Sequence, residues 1–221
     1  MPNPDGPLNP ARAFALRGLY AISDGPRVDL LDACAAALAG GAAILQYRDK
    51  SGDHARRLRE AHALQALCAR HRVPLVINDD VDLAAAVGAA GVHLGEADVA
   101  FAAARADLGP AAIIGVSCYD SLERARQFAA AGASYLAFGA FFASPTKPLA
   151  RRAPLSLLRD AKSFGLPLVA IGGITPDNAR DLIVAGADAF AVITALFGAR
   201  DVRSIAGDFA RLFIPSSTSL R

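Results

Sequence analysis

The sequence predicts an α/β fold of one kind, a single (β/α)8 TIM barrel, and three observations predict it. Short β-branched or aliphatic runs alternate with longer alanine-rich helical stretches along the chain. That alternation predicts a parallel sheet whose strands are joined by crossover helices. Small-residue phrases recur where a helix should give way to a strand, at Ala39-Gly40-Gly41-Ala42, Ala89-Ala90-Gly91-Val92, Ala131-Gly132-Ala133 and Ala185-Gly186-Ala187-Asp188. Gly after a helix supplies the left-handed C-terminal conformation, so the phrase marks a repeated βα unit. The length, 221 residues, suits one barrel that need not divide into domains. An open doubly wound sheet is the alternative. It usually has fewer strands, and no GxGxxG fingerprint stands near the N-terminus.

The strands are read near Gly18–Ser23, Ala42–Tyr47, Pro74–Asn78, Gly91–Leu94, Ala112–Gly115, Tyr135–Phe138, Pro167–Ile171 and Ala189–Ile193. Helices fall between them, among them Val28–Ala39, His54–Arg70, Ser121–Ala130 and Pro176–Ala185. The last has Thr175 as N-cap and Pro176 at the first helical position. The barrel spans 14–214. The polar segments 1–13 and 215–221 are expected to be loose tails.

A chain of this size should remove roughly 70–75% of its unfolded surface from water, so neither disulfides nor a structural metal is needed to hold it. Cys34, Cys68 and Cys118 are odd in number and far apart, which fits neither a disulfide framework nor zinc-ligand spacing. A reducing cytoplasm is the simplest setting. The first ten residues, rich in Pro and Asn, lack the basic start and apolar core of a signal peptide, so no export is expected. Every apolar run is interrupted well before the ~18 residues of a membrane span. The formal net charge of +2 and scattered Lys and Arg give no nucleic-acid stripe. A soluble protein acting on small molecules, with no nucleic-acid or membrane partner, is expected; self-association into a homo-oligomer stays open.

Barrel chemistry clusters at the C-terminal ends of the strands, and polar residues gather at those junctions. The most informative is the loop after the sixth strand, where Ser144-Pro145-Thr146-Lys147-Pro148 offers two hydroxyls and a cation on a proline-restrained turn. Those groups suit phosphate oxygens. After the second strand, alternation points Gln46, Arg48 and Lys50 the same way. After the third comes Asn78-Asp79-Asp80. Such oxygen-rich ends suit Mg2+, which takes one or two carboxylates and completes its shell with water and phosphate. Asp79 is the ligand candidate there, while Asp80 and Asp82 suit the helix dipole. Asp98, beyond the fourth strand, fits either a second metal ligand or a helix N-cap.

His93, inside an apolar strand end, reads as a hydrogen-bonded core residue rather than a general base. At Gly115-Val116-Ser117-Cys118, Ser117 is the better ligand contact; Cys118 has no histidine near it in sequence to activate it. Ile171-Gly172-Gly173-Ile174 and Val192-Ile193-Thr194-Ala195 place glycines and helix-starting amides where many barrels bind phosphate. Arg151 and Arg152 fit a lid over a phosphorylated ligand or a solvated loop equally well.

Taken together, Leu45-Gln46-Tyr47-Arg48-Asp49-Lys50, Ile77-Asn78-Asp79 with Asp82-Leu83-Ala84, Gly91-Val92-His93-Leu94-Gly95 with Asp98, Gly115-Val116-Ser117, Ser144-Pro145-Thr146-Lys147 and Ala170-Ile171-Gly172-Gly173-Ile174 resemble the thiamine phosphate synthase (thiamine-phosphate pyrophosphorylase) family. The matching pieces run from about Leu19 to Phe197. The resemblance implies a (β/α)8 transferase that joins 4-amino-5-hydroxymethyl-2-methylpyrimidine diphosphate to 4-methyl-5-(2-phosphoethyl)thiazole, giving thiamine phosphate and pyrophosphate. It further implies a Mg2+ cofactor on Asp79 and Asp98, and a diphosphate grip by Arg48, Lys50, Asn78 and Lys147.

By the same resemblance Gln46 contacts the pyrimidine, and Ser144 and Thr146 hold the thiazole phosphate with backbone amides around Gly173, Ile193 and Thr194. Ser117 lines the reaction centre, and the catalytic group is then Arg48, Lys50, Ser117 and Lys147. Glu96 stands where the family often has Gln, and Thr194 where it often has Ser; both keep an oxygen acceptor. A thiazole tautomerase on the same barrel, or a non-catalytic binder of thiamine intermediates, are the competing readings. Retention of the diphosphate-gripping residues argues against the first.

Overall fold

A computed structural model of the chain describes residues 14–95, 99–143 and 152–214. The tails 1–13 and 215–221 lie outside them. Eight parallel strands close in sequence order into one barrel. They are β1 (Gly18–Ile22), β2 (Ala42–Tyr47), β3 (Leu75–Asn78), β4 (Gly91–Leu94), β5 (Ile113–Tyr119), β6 (Tyr135–Phe138), β7 (Leu168–Ile171) and β8 (Ala189–Val192). Closure is made where Gly18 to Ala21 pair with Ala189 to Val192. Around the barrel run α1 (Leu30–Ala39), α2 (His54–His71), α3 (Val81–Val87), α4 (Val99–Leu108), α5 (Leu122–Ala131), α6 (Ser156–Ala161), α7 (Arg180–Ala185), α8 (Thr194–Phe197) and α9 (Val202–Arg211).

Local chemistry sets four of the helix starts. The side chains of Asp53, Asp80, Ser121 and Asp201 each accept the amide hydrogen three residues on, at Arg56, Leu83, Arg124 and Ser204. Each cap of this kind contributes about 1 kcal/mol. The helix expected from Pro176 begins instead at Arg180, and Thr175 is not its cap. Asn178 is the reason. Its Oδ1 accepts from the Thr175 amide at 2.9 Å and its Nδ2 donates to the Gly173 carbonyl at 3.0 Å, an alternative to the helical ladder that delays the first turn.

The recurring glycine phrases also divide. Gly132 and Gly186 do end helices in the left-handed conformation, but α3 ends on Gly88, and Gly91 belongs to β4. What Gly91 supplies is closeness, since a Cβ there would lie 1.8 Å from the Ile113 carbonyl oxygen.

Two apolar layers result from strand alternation. Leu19, Leu45, Ile77, Val92, Val116, Phe138 and Phe190 point outward beneath the helices. Tyr20, Ile44, Val76, Tyr135, Val169 and Ala191 point inward and fill the barrel. Each such aliphatic or aromatic side chain contributes on the order of 1.5–3 kcal/mol by leaving water.

β5 runs four residues beyond the Gly115 at which the sequence suggested it stops, so Ser117 and Cys118 lie within the strand and not after it. Gly115 pairs in register with Tyr135, and a Cβ at Gly115 would lie 1.8 Å from Tyr135 Cζ. The bare backbone is therefore the space through which the Tyr135 ring crosses the barrel.

Gly115→Ala should consequently lower stability by about 1–3 kcal/mol through overpacking, read as a fall of several degrees in Tm. Gly88→Ala, which has open space around its Cβ, pays only left-handed backbone strain of about 1 kcal/mol. Equal Tm for Gly115→Ala and the parent would show that the ring does not need that gap.

Candidate active site

A cavity of about 850 Å³ opens at the C-terminal end of the barrel. Gln46, Arg48, Lys50, Asn78, Asp79, Ser117, Gly173, Ile193 and Thr194 all line it. Residues far apart in sequence thus converge on one space. Asp98, Ser144, Thr146 and Lys147 lie outside the described residues, as do Glu96 and Arg151; Arg152 is exposed.

Alternation along β2 and into its loop brings Gln46, Arg48 and Lys50 to the cavity together while Asp49 turns the other way. Asp49 is not a solvated counter-charge. It is buried, its Oδ1 accepts from the Ser51 amide at 2.8 Å, and its Oδ2 lies 2.8 Å from Arg56 Nη2. Burial works against the Asp49 carboxylate, but hydrogen bonds from Ser51 and the Arg56 guanidinium hold it below the usual range. The same residue that shapes the loop is neutralised from behind by Arg56. The Arg48 amide donates to Ser23 Oγ at 2.8 Å, which fastens this loop to the end of β1.

Asp79 occupies a left-handed conformation, φ 60°, at a cost on the order of 1–3 kcal/mol for a residue other than Gly. The surroundings enforce it. Its amide donates to the His93 carbonyl at 2.9 Å, Oδ1 accepts from the Gly95 amide at 3.0 Å, and Oδ2 accepts from Asn78 Nδ2 at 2.7 Å. Lys50 Nζ stands 3.8 Å from Oδ2. Both partners are about half exposed to the cavity, so this contact places charge and adds little stability. Among the described residues no three His, Cys, Asp or Glu side chains cluster for a metal. Asp79 is nonetheless a hard oxygen donor beside cations, and each of its oxygens keeps lone-pair capacity.

Beneath these charges lies a continuous polar chain that the sequence did not reveal. Gln46 Nε2 donates to Tyr20 Oη at 2.6 Å, Tyr20 Oη is 2.7 Å from Tyr135 Oη, Tyr135 Oη is 2.9 Å from His93 Nδ1, and His93 Nε2 is 2.9 Å from Ser117 Oγ. His93 stacks on Tyr135 with ring centroids 5.7 Å apart. Burial pulls its imidazole down to about 4, opposed weakly by the Asp79 charge. Both ring nitrogens of His93 are hydrogen-bonded, as expected of a structural histidine, and the ring also borders the cavity.

Tyr20, Tyr119 and Asp120 also line the cavity and were not picked out from sequence. The signal for Tyr20 was present, because β1 alternates Leu19 outward and Tyr20 inward beside the Gln46 strand. At the back, Arg124 Nε donates to the Ser117 carbonyl at 2.7 Å and Nη2 to the Gly95 carbonyl at 2.6 Å, tying the ends of β4 and β5.

The paired glycines make room for a neighbouring loop. Gly172 and Gly173 have φ 104° and 61°, and a Cβ on Gly173 would lie 2.2 Å from the Ala143 carbonyl oxygen. The β6–α6 loop packs directly on them, with the Phe142 amide donating to the Gly172 carbonyl at 3.0 Å.

A barrel whose mouth gathers cations, a carboxylate and glycine-rich turns after β7 and β8 belongs to the phosphate-binding (β/α)8 enzymes by its architecture. Comparison with known proteins narrows this. The family model described as thiamine monophosphate synthase matches residues 19–196, and the chain belongs to that family. It is 53% identical over 203 residues to a thiamine-phosphate synthase of Nitrosococcus oceani, covering 90% of this chain and 94% of the relative. It is 55% identical over 200 residues to one of Chromobacterium violaceum, covering 90% and 97%. Among solved structures, a thiamine phosphate pyrophosphorylase from Pyrococcus furiosus superposes with a TM-score of 0.79 at 36% identity, covering 89% of this chain and 95% of that one.

Cys118 is packed between barrel and helices, where burial pushes its thiol up to about 12; burial does the same for Cys34 and Cys68. A nucleophilic role is therefore ruled out by protonation and access. All three should resist iodoacetamide in the folded protein at neutral pH and react on unfolding. Since the folded pKa of Cys118 lies above the ordinary 9.0, the folded state holds the extra proton. Its contribution is complete below pH 9 and is lost as pH rises towards 12. The urea midpoint should fall across that window, less steeply in Cys118→Ala. Prompt labelling of the folded protein would contradict the burial.

Proposed function

We propose that the protein synthesises thiamine phosphate from 4-amino-5-hydroxymethyl-2-methylpyrimidine diphosphate and 4-methyl-5-(2-phosphoethyl)thiazole, releasing pyrophosphate. Thiamine-phosphate synthesis, a transferase reaction, is what membership of the family and the curated relatives support. The observation that carries the finer reading is the convergence of Arg48, Lys50, Asn78, Asp79 and Ser117 on one cavity.

In this reading Arg48, Lys50 and Lys147 grip the diphosphate and meet the negative charge that grows as pyrophosphate leaves, and Asn78 orients it. Preplaced cations act on the departing group without rearranging, which makes a dissociative path the economical one. The pyrimidine, with Gln46 against its edge, leaves as an electron-rich cation that the thiazole nitrogen captures, so no protein nucleophile is required. Ser144, Thr146 and the backbone around Gly173, Ile193 and Thr194 hold the thiazole phosphate. Ser117 lines the reaction centre.

Asp79 and Asp98 would hold Mg2+, which needs only one or two carboxylates. When bound, the ion neutralises charge on the diphosphate oxygens. A cytoplasmic setting suits three buried free cysteines, and no helix among the described residues is long and apolar enough to cross a membrane.

Purified protein given both substrates and Mg2+ should form thiamine phosphate, and omission of either substrate or addition of a chelator should stop it. Lys147→Ala should lower turnover about a hundredfold or more, the cost of removing one preplaced charge. Metal-independent isomerisation of the thiazole, or binding with no product, would refute the assignment. Turnover of Lys147→Ala close to that of the parent would refute the role of the lysine.

A further inference from the structure

We propose that Tyr135 is a positioning residue that fixes the polarity of the hydrogen-bond chain running from Gln46 to Ser117, and thereby which groups those two residues present to the pyrimidine. The inference rests on the reading of Gln46 as the pyrimidine contact. Tyr135 is fully buried and is not among the residues lining the cavity, whereas Gln46, Tyr20, His93 and Ser117 are.

The polarity follows from counting hydrogens. Each phenol carries one, and a neutral imidazole has one donor and one acceptor nitrogen. Gln46 Nε2 donates to Tyr20 Oη, so the single Tyr20 hydrogen goes to Tyr135 Oη, which lies 2.7 Å away. The Tyr135 hydrogen then goes to His93 Nδ1 at 2.9 Å, and the imidazole proton sits on Nε2, donated to Ser117 Oγ at 2.9 Å. Ser117 is left with its own hydrogen to donate, and Gln46 with Oε1 to accept.

The reverse order also satisfies every group, but only if the Gln46 amide turns over and all the protons shift together. Ser117 would then be committed as donor to His93, and Gln46 would present N–H. Two polarities thus exist, and they offer opposite faces to a heteroaromatic ring. The order present fits a ring that pairs an amino donor with a ring-nitrogen acceptor.

Tyr135 is the middle link. Among the described residues it is the group that joins the Tyr20 side to the His93 side, and Gly115 is bare where its ring passes. A Phe would fill nearly the same volume, so what the hydroxyl adds is its two bonds. A buried phenol without partners would be costly.

Two measurements test this. In the wild-type protein, 15N NMR of labelled histidine should show His93 with Nδ1 unprotonated and the proton on Nε2; a proton on Nδ1 overturns the polarity. That readout needs no activity, so it stands apart from any failure of the synthase assignment. In steady-state kinetics, Tyr135→Phe should lower kcat/KM for the pyrimidine diphosphate about tenfold or more, the scale of the two buried hydrogen bonds it removes. The KM for the thiazole phosphate should stay unchanged, because the chain reaches only one substrate.

Equal loss towards both substrates indicates a general structural effect and overturns the proposal, as does no loss at all. If Tyr135→Phe fails to fold, Tyr20→Phe interrupts the same chain and should give the same split.

Discussion

Closure of eight parallel strands is the constraint on which the rest of this molecule depends. A side chain on a strand can face only in or out, and in a closed barrel all the inward faces share one small interior. Once β1 pairs with β8, the phase of every strand is set. Gln46, Asn78, His93 and Ser117 face the same space because each is an inward position near the end of its strand, β2, β3, β4 and β5 in turn. A one-residue slip in any of them would exchange its polar inward group for an outward apolar one such as Tyr47, Ile77, Leu94 or Cys118. The apolar outer layer therefore holds the polar inner one in register. Hydrophobic burial, which has no direction of its own, becomes directional through the pleat.

The same constraint explains how unlike charges can be kept apart in consecutive residues. Arg48, Asp49 and Lys50 would largely cancel on a mobile loop. Because the backbone continues the alternation of β2, the two cations face the cavity and Asp49 faces Arg56 and the Ser51 amide. Both cations therefore reach the cavity, where Lys50 stands beside the Asp79 carboxylate. Asp79 carries the opposite expense, a left-handed backbone held by three hydrogen bonds. Strain of that kind persists only where neighbours over-determine it, and here the neighbours are Asn78, His93 and Gly95, all at the ends of β3 and β4.

Much of the architecture was legible in the sequence. β2, β4 and β6 have the residues expected, and Gln46, Arg48 and Lys50 share a face as strand period requires. Three things were not legible, each for a physical reason. Gly115 looked like a strand end because glycine weakens strands, yet it stays inside β5 because a side chain arriving from β6 takes the place of its own. Thr175-Pro176 looked like a helix start, but Asn178 offers the backbone a competing set of bonds, a side-chain choice that local propensity does not encode. The Gln46–Tyr20–Tyr135–His93–Ser117 chain draws on five separate strands. Its members look like ordinary strand residues one at a time, and only the register between strands makes them neighbours.

That buried chain bears on why the barrel tolerates so polar an interior. Phenols, an amide, an imidazole and a hydroxyl inside a barrel would each carry a desolvation cost if isolated. Arranged in series, every internal donor meets an acceptor, and the donor hydrogens left over are at the two ends, Gln46 and Ser117, which both border the cavity. A network satisfied everywhere except at its ends directs its remaining bonding towards whatever enters. Reactions that proceed by departure of a charged group need no nucleophile from the protein, but they need a ring held still while charge moves away from it. In the proposed reaction the charged rim formed by Arg48, Lys50 and Asp79 and the neutral floor formed by the five-residue chain would divide those two tasks, and the closed sheet places rim and floor against one another.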